Sequence, residues 1–259
     1  MRKATFLVVA LIGVLTTTTA VTGQVRLINE VQTDNPLGAE DICEYVELRG
    51  NPSTLLPPNT YFVALDGTES GFQQGTVIFV ANVSGVAFDA TTGLITILNR
   101  NSSCPGRTYG TSTIVPQQGQ AQFFLFNATS SYFLLTLPVG APAPVAFVTD
   151  YDADDNGTLD SLPPGTTIHD SFAFIERNTA FEFAYAPLVN PPGGGQPFNP
   201  DAFVRFLGNN TPNSAGAFYF GQLDPAGPQQ TVLFAPGAAD RSTNFPPGGR
   251  LTPGQPNVP

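Results

Sequence analysis

Apolar residues in this chain come in short runs and not in long helical stripes. Runs rich in Val, Ile, Leu, Phe, Tyr and Thr fall at 25–28, 44–48, 61–65, 76–80, 93–98, 122–126, 132–135, 145–148 and 171–175. Turn residues separate them at intervals of about ten to thirty residues, the spacing of an all-β sandwich or barrel. In the 44–48 run the pattern alternates. Glu44, Val46 and Leu48 fall on one side of an extended chain, and Tyr45 and Glu47 on the other, because successive side chains of a strand point to opposite faces. The Tyr45 side is polar enough to be expected to meet water or a cation. The stretch from Phe123 to Phe126 is apolar on both sides and reads as a central strand.

Helical periodicity is almost absent, and 26 Gly and 25 Pro spread along the chain oppose helices further. Beyond Tyr185 the composition shifts. Residues 186–259 hold 14 Pro and 11 Gly, too few apolar residues to bury a core alone. Two short runs there, 203–206 and 217–220, have strand character. Residues 186–259 are therefore expected to form a Pro/Gly-rich extension wrapping a sandwich made from residues 24–185.

Residues 1–23 read separately. Arg2 and Lys3 precede an apolar run from Phe6 to Leu15, then a Thr-rich stretch ending in small residues. This is the layout of a secretory signal peptide, and a run of that length is too short for a bilayer core of ~30 Å. Cleavage is expected after Ala20 or Gly23, and the alternative is an uncleaved anchor. The chain is thus expected to be secreted, extracellular or at a cell surface, with no membrane insertion after cleavage.

Without those residues the chain has no lysine, and eight arginines face 20 acids, a formal charge of −12. That sign disfavours nucleic acid and suits divalent cations or basic partners. Two cysteines in an exported chain, Cys43 and Cys104, suggest one disulfide. The alternative is a pair of buried thiols.

Five of the 20 carboxylates crowd into residues 150–160, "DYDADDNGTLD". Counted from Asp152, oxygen-bearing side chains fall at loop positions 1, 3, 5 and 9 (Asp152, Asp154, Asn156, Asp160). Gly157 takes position 6, where a sharp turn needs positive φ. Such spacing converges alternate side chains on one Ca²⁺, with the position 7 carbonyl, here of Thr158, contributing. Position 12 is Pro163 where a helical EF-hand needs a bidentate Glu, so the expectation is an Asp-rich calcium loop between strands, completed by Asp150 or a distant acid such as Asp170. The ion's role would be structural. The alternative is a solvated acidic turn, since Asp, Asn and Gly are common turn residues.

Catalytic signatures are sparse. His169 is the single histidine, and its neighbours Asp170 and Ser171 cannot converge on it along one strand. Glu44 and Glu47 would be the first acids to check for glycoside hydrolysis, although the chain has no Trp to stack a sugar. Sequons begin at Asn82, Asn101, Asn127, Asn156 and Asn209.

Several pieces taken together resemble lamin-tail-like domains of the secreted bacterial type. They are Ile28-Asn29-Glu30, then Glu44 to Leu48, Asn51-Pro52, the stretch around the acidic loop through "HDSFAF", "DAFVRFLGN" at 201–209, and the terminal "LTPGQPN". The segment after Asn51-Pro52 departs from the pattern in lacking Trp, and Cys43 stands where an acidic or plain residue is usual. The resemblance implies an immunoglobulin-like β-sandwich without catalytic residues to carry over. The expected function is therefore a secreted, non-catalytic, calcium-stabilised module. It would bind an extracellular protein or glycan, adhere, or self-assemble at a surface. The alternative is an accessory module of extracellular hydrolysis by a nuclease, phosphoesterase or glycan-acting enzyme.

Overall fold

A computed structural model describes residues 24–34, 43–69, 73–98, 104, 107–110, 112–114, 125, 128–177, 181–190, 199–226 and 232–258. The segment read as a signal peptide lies outside the described residues, as do Asn101, Asn127 and most of the 122–126 run. Among the described residues there is no α-helix, and no helix is long and apolar enough to cross a membrane.

Ten strands follow in order: β1 (Arg26–Gln32), β2 (Tyr45–Gly50), β3 (Thr60–Asp66), β4 (Val77–Asn82), β5 (Leu94–Leu98), β6 (Thr113–Ile114), β7 (Ser130–Thr136), β8 (Thr167–Phe174), β9 (Ala202–Arg205) and β10 (Phe218–Gly221). They form a six-stranded sheet, β10-β9-β1-β2-β5-β6, and a four-stranded sheet, β4-β3-β7-β8. All pairings are antiparallel except the short β5–β6 pair. The all-β sandwich expected from the run pattern is the observed architecture. Residues beyond 186 enter it directly, because β9 and β10 lie beside β1 in the larger sheet.

Strand alternation divides the apolar residues into layers. Ile28, Val46, Leu48, Phe62, Tyr132, Phe172, Phe174, Phe203 and Phe218 pack between the sheets. Tyr61, Val63, Leu65, Phe133 and Leu135 point away from them on the smaller sheet, under Tyr151, Leu159, Leu162 and Tyr185. Tyr45, Val204 and Tyr219 do the same on the larger sheet, under Leu223, Phe234, Phe245 and Leu251. Connecting chain thus covers both outer faces. The Tyr45 side of β2, expected to meet water, is instead buried: Tyr45 is 1% and Glu47 0% exposed.

The 145–148 run is a turn and not a strand. Phe147 has φ +61°, which a continuous strand does not allow. The turn docks on the edge of β4: Val77 N–H donates to Thr149 O, and Phe147 N–H donates to Val77 O. Val148 is left 75% exposed. Cys43 and Cys104 form a disulfide across a sequence separation of 61, the expected pairing.

Candidate functional site

The first polar centre lies on the outer face of the larger sheet. The β1–β2 register shifts between Ile28 and Glu30, leaving Asn29 as an extra residue. Such a bulge turns a side chain out of strict alternation. Asn29 and Glu30, sequence neighbours, therefore both reach the face that carries Tyr45 and Glu47. Asn29 Nδ2 donates to Glu47 Oε1 at 2.6 Å and to Asn257 Oδ1 at 2.7 Å. Glu47 Oε2 accepts from Gly254 N–H at 2.7 Å. Glu30 accepts from the Tyr45 hydroxyl and from both the N–H and hydroxyl of Thr252. Asn257 Nδ2 donates in turn to Arg205 O at 2.6 Å. The segment 251–257 has no sheet partners of its own along most of its length, and these contacts strap it down.

Burial dominates the electrostatics here. It raises Glu30 to about 7, against donation from Tyr45 and Thr252. It raises Glu47 well above the usual carboxylate range, and the neighbouring Glu30 charge raises it further. The Tyr45 hydroxyl is raised as well, by burial and then by Glu30. Two carboxyls sharing one dry site cannot both ionise readily.

A buried ion pair adjoins this centre and joins the sheets. Asp170 of β8 meets Arg205 Nη2 of β9, and both side chains are 0% exposed. Arg205 Nε donates to Ile28 O at 2.7 Å and Nη1 to Thr211 O at 2.9 Å. Asp170 accepts from Ile28 N–H and Asn213 N–H, each at 2.8 Å. Asp170, considered above as a distant cation ligand, is thus committed to arginine. Burial still pushes its carboxyl up, and Arg205 pulls it back.

The acidic loop forms the second centre. Asp152 is 0% exposed. Its Oδ1 accepts from Asn156 N–H at 3.0 Å, and its Oδ2 from Gly157 N–H at 2.8 Å and the Tyr185 hydroxyl at 2.7 Å. Three donors therefore compensate the one buried anion. Asp155 at φ +53° and Gly157 at φ +84° make the tight return. The positive φ favours glycine at 157, and a Cβ there would also stand 3.1 Å from the Phe183 ring, a tight contact. Asp150 Oδ1 accepts from Asp152 N–H, and burial followed by neighbouring acids raises its carboxyl.

Asp152, Asp154 and Asp160 bring carboxylate oxygens within 4.8 Å of one another. Asp150 is not in that group. Asn156 meets Asp152 through its backbone, and Thr158 O accepts Asp160 N–H at 2.9 Å. The exposed oxygens of Asp154 and Asp160 are hard ligands of the kind calcium takes, with water completing the shell. Asp152 has less to offer, because most of its lone pairs are in use.

Glu44 and Glu47 do not face each other. Glu44 is buried and accepts Leu125 N–H at 3.0 Å, while Glu47 grips the strap on the opposite side of β2. His169 lies on β8, half-buried, with Nε2 2.8 Å from Thr136 Oγ1. Burial lowers it to about 4, with the Arg26 charge adding to the effect. Beside the strap, Arg107, Val232, Arg250, Pro253, Pro256 and Val258 line an open groove of about 590 Å³. Among the described residues its lining includes no carboxylate. Sequence reasoning missed the buried network, although every piece of it belongs to a motif quoted above.

Comparison with family models, curated proteins and solved structures finds no match to this chain.

Proposed function

We propose that this protein is a secreted, non-catalytic β-sandwich of the lamin-tail-like type that works by extracellular binding or surface assembly. One observation carries the reading. Asn29, Glu30, Glu47, Asp170, Arg205, Thr252, Gly254 and Asn257, drawn from separate motif pieces of the resemblance, converge in one region of buried hydrogen bonds. Groups spent on holding strands and strap together are occupied, and a framework of this kind presents loops and grooves to partners. Calcium held by Asp154 and Asp160, with Asp152 behind them, would steady the loop at one end. The groove offers the exposed Arg250 on an otherwise acidic chain, so a partner bearing anionic groups is favoured there.

The test has three arms. Thermal melting in millimolar calcium is expected to exceed that in chelator, and superimposable curves would remove the ion from the reading. Light scattering of the purified protein distinguishes assembly from monomeric binding. A glycan and matrix-protein array is expected to give hits weakened by Arg250→Glu. Hydrolysis that disappears in Glu44→Gln or Glu47→Gln would overturn the non-catalytic reading.

A further inference from the structure

We infer that Asn156 is a site of spontaneous covalent modification, deamidation through Gly157, and that the Asp152 carboxylate sets its rate. Asn156 is exposed to water and is followed by glycine. No side chain at position 157 shields the backbone nitrogen from the Asn156 side chain. In the reaction, the Gly157 nitrogen loses its proton to solvent base and attacks Cγ of Asn156. The side-chain amide leaves as ammonia, closing a five-membered succinimide. Water then opens the ring at either carbonyl, giving aspartate or isoaspartate. Atoms balance as asparagine plus water to acid plus ammonia, with no oxidant or reductant.

The nucleophile is held. Gly157 N–H donates to Asp152 Oδ2 at 2.8 Å, and Asn156 N–H to Oδ1 at 3.0 Å. Attack requires the first of these bonds to break and its nitrogen to turn toward Asn156 Cγ. Asp152 is itself fixed by burial and by the Tyr185 hydroxyl at 2.7 Å. An anionic acceptor also disfavours loss of the amide proton it holds. The folded loop therefore holds a reactive dipeptide in a geometry that slows its reaction. The isoaspartate product adds a methylene to the backbone between the two gripped amides, so the grip does not re-form, and each product places one more carboxylate near Asp154 and Asp160.

The experiment incubates the whole chain in mildly alkaline buffer with chelator, so that calcium plays no part, and quantifies aspartate and isoaspartate at position 156 by peptide mapping. Asp152→Ala is expected to deamidate roughly tenfold faster than wild type, the scale of one lost charge-assisted hydrogen bond. Asp152→Asn keeps one acceptor oxygen in the same volume and is expected in between. Ile97→Ala, a core change on the other sheet, lowers stability without touching the loop and is expected to stay near the wild-type rate. A wild-type rate equal to that of a synthetic 150–160 peptide overturns the inference. So does equal acceleration in Ile97→Ala and the Asp152 variants, which would assign the effect to general unfolding.

Discussion

Thr252 donates its amide and its hydroxyl to the carboxylate of Glu30, 222 residues earlier, at 3.0 and 2.8 Å. The C-terminal strap is thereby fastened to the strand that opens the described chain. Thr252→Val keeps the shape and loses the hydroxyl. It is expected to cost about 1–3 kcal/mol, the range for leaving a buried acceptor short of a donor, while Thr252→Ser costs less. Urea denaturation reads the difference, and an unchanged midpoint would mean the strap adds nothing.

Stability should fall as pH rises through neutrality. Glu30 has a folded pKa of about 7 and Glu47 one well above the usual carboxylate range, so above about 4.5 the folded state binds more protons than the unfolded, for Glu30 until pH passes about 7 and for Glu47 over a window that opens in the same place. Stability then declines with pH by up to about 1.4 kcal/mol per unit for each proton. Asp201, raised to about 7 chiefly by burial, acts in the same direction. His169 opposes them, since its folded value lies near 4 and its contribution grows as pH rises toward 6.5. Glu30→Gln is expected to flatten the slope of denaturation midpoint against pH. A slope as steep as wild type would assign the dependence elsewhere.

The Asp170–Arg205 pair ties the two sheets together inside the protein. Removing one partner strands a buried charge, so Arg205→Met or Asp170→Asn should each cost about 3–5 kcal/mol. Combining Arg205→Met with Asp170→Asn removes both charges and should recover part of that loss. A double-mutant cycle by chemical denaturation measures the coupling. Strict additivity would show that the pair does not act as one unit.

The loop acids divide by role. Asp154→Asn and Asp160→Asn are exposed changes, expected to abolish any calcium-induced rise in melting temperature while leaving the chelator value within about 0.5 kcal/mol. Asp152→Asn should lower the melting temperature in chelator as well, because it disturbs three hydrogen bonds that need no ion. Calorimetry in calcium and in chelator separates these cases. Equal behaviour of all three variants would erase the division.

Replacing Cys43 and Cys104 together by serine frees a loop with a sequence separation of 61. The expected loss is about 2–5 kcal/mol, read by melting the double variant beside the oxidised protein. A loss far below that range would mean other contacts hold the loop.

Alternation and turn residues at β2, β3, β5 and β7 determined the fold class, because a strand's two-residue period is written locally. The cysteine count likewise anticipated a disulfide between the only two available partners. The acidic loop was visible as a spacing, and its glycine as a turn requirement. Tertiary structure decided the rest. The β1 bulge put Asn29 and Glu30 on one face, a shift of register that neither residue encodes alone. The same packing buried Glu47 under a strap more than two hundred residues away and gave Asp170 to Arg205. It also made a turn of 145–148, whose apolar letters look like those of any strand. Periodicity reports which side of a strand a residue takes. What lies on that side depends on distant chain arriving there, and in the low-dielectric interior that arrival determines whether an acid meets water, an ion or a hydrogen-bond donor.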